Sequence, residues 1–325
     1  MLSPHPVRLS VVVPCFNEQD VLRETHRRLE AALQDLSIDF EIVYVDDGSR
    51  DATPQILGEL QSSDDHVRVV RFSRNFGHQV AVTAGLDYAA GDAVVLIDAD
   101  LQDPPELIGA FLERWHAGCD VVYGQRSERE GETFFKRATA SLFYRLLRRL
   151  TTIDIPRDTG DFRLMDRRVV DTLREMPEQD RFLRGMVSWV GFRQVAVPYR
   201  REARFAGVSK YPLRRMLRLA ADAIVSFSPL PPRLASFAGA GAASAGLLIA
   251  AGLAVATIFG RTLPAASWWI LSAVVLLGGL QLLAIGLLGE YVARIYRQGQ
   301  GRPLYVVRET AGFAPASSRS PARAA

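Results

Sequence analysis

The stretch VVLIDADLQDPPE (94–106) sets four acids, Asp98, Asp100, Asp103 and Glu106, directly after an apolar run. Carboxylates gathered at the end of a buried strand repel one another and resist losing water, so a cation must make the cluster tolerable. Asp98 and Asp100, one residue apart on a turn, suit a hard divalent ion. Mg2+ or Mn2+ takes oxygen ligands and keeps open positions for a diphosphate. Gln102 follows two residues on and reaches the same metal directly or through water. A second acid cluster stands in VDDGSRD (45–51). There Asp47 is placed to accept from the ring N–H of a nucleobase, while Ser49 or Asp51 also suits the cap of the next helix. PCFNE (14–18) adds a backbone turn and Glu18, which suits ribose hydroxyls or the base.

These residues need elements that bring them together. LSVVVPCF (9–16), FEIVYVDD (40–47), VRVVRFS (67–73), DAVVLIDAD (92–100) and CDVVYGQ (119–125) are β-branched apolar runs that read as strands. Between them, 18–36, 52–62, 78–90 and 105–117 carry helical periodicity. Strand–helix alternation with short turns predicts an open, mostly parallel α/β sheet. Such sheets bind ligands at the carboxyl ends of their strands. PCFNE, DDGS, DAD and GQR all fall there, so four polar clusters converge on one edge.

The remainder of the chain reads as membrane-associated. Leu234–Gly260 and Thr262–Gly289 contain no Asp, Glu, Lys or Arg. Each exceeds the roughly 20 residues that cross a bilayer, and two transmembrane helices are expected within 233–293. The loop between them has one arginine, whereas Arg233 flanks one side and Arg294, Arg297, Arg302 and Arg308 the other. The positive-inside rule then puts both flanks in the cytoplasm. No secretory signal precedes the first strand. The expected layout is a cytoplasmic catalytic domain over 1–210, a juxtamembrane helix over 211–232, the spans, and a cytoplasmic tail over 294–325, disordered after about 311. Arginine-rich runs in the amphipathic stretch 134–150 and at 214–218 suit anionic headgroups. The expected location is the inner (plasma) membrane. No nucleic-acid module is present. Two distant cysteines, Cys15 and Cys119, suggest neither disulfide nor zinc. The small-residue run GAGAASAG (239–246) suits helix packing and a homo-oligomer.

VVVPCFNE, VDDGSRDAT, RNFGHQVAVTAGLDYAAGD, DADLQDPPE and GQR together resemble glycosyltransferase family 2, with its GT-A nucleotide-sugar fold. DTGDFRLMDRRVV (158–170), REARFAGVSKYPL (201–213) and GLLGEYVARIY (286–296) resemble its membrane-bound polyprenyl-phosphate glycosyltransferases. The resemblance implies inverting transfer of one sugar from a nucleotide to a lipid phosphate. It also implies that Pro14, Phe16, Glu18 and Asp47 line the nucleotide pocket and that Asp98, Asp100 and Gln102 handle the metal. Phe16 stands where Tyr is frequent, which leaves stacking without a hydroxyl contact. Arg126 would approach the phosphates, and Arg204, Ser209 and Lys210 would sit on a loop closing over them. Asp161 is the carboxylate expected near the anomeric carbon, as base or orienter, with Asp158 the second choice.

The chemistry is consistent with these parts. A phosphate monoester is largely dianionic at pH 7, its second pKa being about 6, so it is already a nucleophile. The site's task is to bring two anions together. The expected partners are a nucleotide-sugar, UDP and glucose favoured, a polyprenyl (undecaprenyl) phosphate and membrane lipids. A processive polysaccharide synthase would share the nucleotide half, but there is no QxxRW motif and two spans are few for a polymer channel. A non-catalytic scaffold would lack the acidic triplet or the Arg–Lys loop. An oxidoreductase would show GxGxxG after the first strand.

Overall fold

The structure, a computed structural model, describes residues 8–126, 159–200, scattered positions between 237 and 259, and 266–313. The amphipathic stretches 134–150 and 211–232 lie outside the described residues, as do Asp158, Arg204, Ser209 and Lys210. The chain divides into two units, one of residues 1–145, 153–212 and 302–325, the other of 146–152 and 213–301.

In the first unit β1 (Arg8–Cys15), β2 (Asp39–Asp46), β3 (Val67–Phe72), β4 (Ala93–Leu96) and β5 (Val121–Arg126) are the five runs expected from sequence. Their apolar residues are nearly continuous because helices cover the parallel sheet on its faces. Val11, Val12, Val13, Ile42, Val43, Val95 and Leu96 are fully enclosed, each contributing about 1.5–3 kcal/mol of burial. The covering helices are α1 (Leu22–Gln34), α2 (Thr53–Ser63), α3 (His78–Tyr88) and α4 (Ile108–His116). α1 turns Leu22, Leu29 and Leu33 inward at helical spacing.

Three strands were not apparent as apolar runs. β6 (Thr159–Asp166) precedes α5 (Arg167–Glu175) and α6 (Leu183–Trp189), which lead to β7 (Gln194–Tyr199), and β8 (Val307–Ala311) comes last. The sheet order is β7-β5-β6-β4-β1-β2-β3-β8. β6 and β8 run antiparallel to their neighbours and the rest are parallel. Thr159 pairs with Gln125, so the reversed β6 begins at the carboxyl edge of β5. That reversal delivers Gly160 and Asp161 to the ligand edge.

β8 lies in the segment expected as a tail. Its sequence, VRETA, is mostly polar because it is an exposed edge strand. It is fixed from outside the ladder. Tyr305 stacks on Phe72 with centroids 5.1 Å apart and donates to Asp87 at 2.9 Å. Arg71 of β3 bonds Glu309 at 2.8 Å. The chain therefore returns to the sheet of the first unit after the apolar region.

In the second unit α7 (Ala266–Gly299) spans 34 residues, about 51 Å at 1.5 Å per residue. Its portion Leu276–Gly299 is long and apolar enough to cross a bilayer. Leu276, Leu277, Leu282, Ile285, Leu288 and Val292 are all exposed, and at 100° per residue they spread over about two thirds of the helix surface. The earlier expected span, 234–260, is described only in part, and its described positions are mostly helical, with Phe237, Leu248 and Ile258 exposed.

Candidate functional site

The turns after β1 and β2 are laced together. Asn17 N donates to Ser49 Oγ at 3.0 Å, Arg50 N to Asn17 Oδ1 at 2.9 Å, and Glu18 N to Thr53 Oγ1 at 2.8 Å. PCFNE and DDGSRD thus form one rigid corner, with Phe16 and Glu18 half-buried and Pro14 enclosed in β1. Gly48 has φ +67°, and a Cβ there would meet Asn75 N at 2.7 Å. Only glycine lets the turn approach the β3–α3 loop so closely. Asp47 secures that approach. It accepts from Asn75 Nδ2 at 2.8 Å, Phe76 N at 2.6 Å and Gly77 N at 3.0 Å. Burial raises its pKa against the pull of those amides. Asp47 is therefore a structural acceptor at the start of α3 as well as the residue expected at the base.

His78, the first residue of α3, links the two acids expected to do the chemistry. Its Nε2 lies 3.1 Å from Asp161 Oδ2 and 3.7 Å from Asp98 Oδ1. Arg184 of α6 donates to the other Asp161 oxygen at 2.6 Å. Buried Arg163 bonds the backbone carbonyl of Gly160 at 3.0 Å, while burial depresses its pKa to about 10. Asp161, enclosed on β6, is thus gripped through both oxygens. Burial would protonate it, but Arg184 and His78 outweigh that and hold it well below the usual carboxylate range. Burial likewise disfavours the charged imidazole, yet Asp161 and Asp98 raise His78 to about 9. This geometry makes Asp161 a fixed anion, suited to orientation and electrostatic work and ill suited to taking up a proton.

Asp98 sits just past β4, its side chain 30% exposed. Burial together with Asp161, Asp103 and Asp100 raises it to about 6, against His78. Leu101, buried at φ +56°, turns the chain in the left-handed region, and Gln102 N donates to Asp100 Oδ1 at 3.2 Å. Among the described residues no three His, Cys, Asp or Glu side chains form a preformed metal cage. The donor set nonetheless fits a hard cation, since Asp98 and Asp100 offer oxygen ligands and Asp98 is destabilised by its acidic neighbours.

Arg126 ends β5 and lies against Gly160, Asp103 and Tyr199. The structure thus brings Asp98, Asp161 and Arg126 to one edge, with Asp47, Phe16 and Glu18 on the adjoining corner. Sequence reading gave no role to His78, Arg163, Arg184 or Tyr199, and to Asp103 only a place in the acid cluster. His78 stands in the quoted RNFGHQ motif, which was the available signal. Arg184 and Tyr199 come from segments whose only mark is ordinary charge and alternation.

A family model described as Glycosyl transferase family 2 matches residues 10–174. The chain is 48% identical over 313 residues to the uncharacterised glycosyltransferase YkcC of Bacillus subtilis, covering 96% of each. It is 40% identical over 308 residues to a bactoprenol glucosyl transferase of Shigella phage SfII, covering 94% of this chain and 98% of that one. Among solved structures it is similar to glucosyl-3-phosphoglycerate synthase of Mycobacterium tuberculosis with Mn2+, UDP-glucose and phosphoglyceric acid. That likeness has a TM-score of 0.45 at 20% identity, covering 67% and 77% of the two chains.

Proposed function

The chain belongs to glycosyltransferase family 2, and from that premise we propose that it moves one hexose onto polyprenyl phosphate. In this reading the donor is a nucleotide-sugar, UDP-glucose favoured, the acceptor is undecaprenyl phosphate, and the anomeric carbon inverts. The carrying observation is the alternation of charges at the sheet edge, Asp98–His78–Asp161–Arg184, with Arg126 alongside. A site that must join two anions needs charges fixed in place, and here Asp161 is held between His78 and Arg184 while Arg126 is placed beside Asp103. The 40% identity to bactoprenol glucosyl transferases along nearly the whole chain supports the lipid acceptor and the glucosyl donor.

Each residue has a task in this reading. Glu18 and Asp47 bind ribose and base, and Phe16 supplies a ring to stack on. Arg126 takes a donor phosphate. Asp161 orients the sugar at the anomeric centre, with His78 and Arg184 keeping it ionised, and Asp158 stands beside it in sequence. Arg204, Ser209 and Lys210 close over the phosphates. Asp98, Asp100 and Gln102 would hold Mg2+ or Mn2+, which neutralises the leaving diphosphate as a Lewis acid. The acceptor phosphate is itself the nucleophile, so no residue need remove a proton.

The test is transfer by the purified full chain with Mg2+ or Mn2+, undecaprenyl phosphate and labelled UDP- and GDP-sugars. Label from one donor should enter the lipid phase as a single-sugar product. Donor hydrolysis or polymer growth without lipid labelling would remove the acceptor assignment.

The proposed membrane layout draws on connectivity. In this reading the catalytic domain lies on one side of the membrane, and because β8 comes after α7 yet pairs with β3, the chain would cross the bilayer twice between β3 and β8. The uncharged 234–260 segment is the partner crossing in this reading. Cys15 and Cys119 are both buried, which makes single-cysteine labelling clean. A cysteine at position 261 should react with impermeant maleimide only from the outer face, and one at 300 only from the cytoplasmic face.

A further inference from the structure

We propose that Tyr199 and Asp103 are positioning residues for Arg126, fixing its guanidinium where the donor diphosphate must bind. This rests on the reading of Arg126 as a phosphate ligand given above. Arg126 and Tyr199 close β5 and β7 and stand opposite one another in the parallel register. Partners in register project to the same face of a sheet, about 4.8 Å apart. The Tyr199 phenol donates to Oδ1 of Asp103. Arg126 Nε donates to the same phenol oxygen at 3.4 Å, and its Nη2 lies 3.8 Å from Asp103 Oδ1.

The three groups form a closed triangle in which one carboxylate oxygen serves both the phenol and the guanidinium. Asp103 is 1% exposed. A carboxylate so enclosed requires a cation or donors, and the triangle supplies both. Burial and the adjacent Asp103 push the Tyr199 phenol up, keeping it protonated as a donor.

Two glycines make the slot. A Cβ at Gly124 would come within 2.8 Å of the Tyr199 ring, and one at Gly160 within 2.8 Å of Arg126 Nη2. Phe162 meets the Tyr199 ring edge-on at 6.1 Å and limits its tilt. The Arg126 side chain stays 22% exposed, so the clamp holds it without enclosing it. A free arginine side chain surrenders rotamer entropy when it is ordered by a ligand. The clamp removes much of that loss before binding.

The test is a double-mutant cycle on UDP-glucose affinity, measured by calorimetry on the full chain with Mg2+. Tyr199→Phe keeps the ring and loses only the hydroxyl, and is expected to weaken binding about tenfold. Arg126→Ala should weaken it further. In the Arg126→Ala background, Tyr199→Phe should change affinity by less than about twofold. Asp103→Asn gives a second entry to the cycle and should show the same non-additivity. Equal losses from Tyr199→Phe in both backgrounds would mean a structural effect and overturn the clamp alone. Wild-type protein that binds neither UDP-glucose nor any other nucleotide-sugar would remove the donor reading and the clamp with it.

Discussion

Asp161→Asn is expected to lower the rate of sugar transfer by at least about 100-fold, with the KM for the donor moving far less. The carboxylate is nearly solvent-free, and its two oxygens are taken by His78 at 3.1 Å and Arg184 at 2.6 Å. An amide keeps the shape and loses the charge. His78 then retains only the more distant Asp98, and Arg184 loses its ion pair, so the fold also weakens by about 3–5 kcal/mol. Arg184→Ala separates the two effects. Its side chain is 30% exposed, so its removal should lower turnover with a smaller stability loss. The pH profile carries the sharper test. Asp161 is held well below the usual carboxylate range, so it stays ionised throughout the working range. The acid limb of kcat/KM should instead fall near pH 6, where the acceptor phosphate and Asp98 both take up protons. Asp161→Asn with wild-type kcat would end the orienting role.

How much of this was visible in the chain depends on the kind of signal. The five parallel strands were legible because both their faces are covered, which leaves long β-branched runs. The helices between them were legible from Leu22, Leu29 and Leu33 and their like. β6 was hidden because Arg163 and Asp161 are buried on it as a network, so its pattern reads as polar. β8 was hidden because an edge strand held by Tyr305 and Glu309 needs no apolar face. The acids of the site were legible, since a carboxylate cluster after an apolar run is costly without a purpose. Their counter-charges were not. His78 joins Asp98 to Asp161 only because α3 starts beside the end of β4, a relation between elements 20 and 83 residues apart in sequence. Local sequence carries propensity and period, whereas pairing across the sheet edge is set by tertiary packing.

That separation between cost and purpose yields the second large effect. Asp98→Asn should reduce transfer by about 100-fold or more, through loss of a metal ligand, while leaving the metal-free protein at pH 7.5 no less stable than wild type. Burial and the neighbouring Asp161, Asp103 and Asp100 raise Asp98 to about 6 in the folded chain, above the roughly 3.9 of an unfolded aspartate. Between those values the native state holds more protons than the unfolded state, so this group's contribution to stability falls as pH rises through the window. Above it, ionised Asp98 is a standing burden on the fold. Asparagine lifts the burden and keeps the shape. The loss to His78 is small, because Asp161 is its nearer partner at 3.1 Å against 3.7 Å. Thermal melts without metal at pH 4 and 7.5, beside transfer rates with Mn2+, test both halves. Wild-type Tm should drop more between those pH values than that of Asp98→Asn. A variant that loses stability along with activity would make Asp98 an ordinary structural acid, whereas a stable and inactive one identifies a residue the fold keeps for its chemistry.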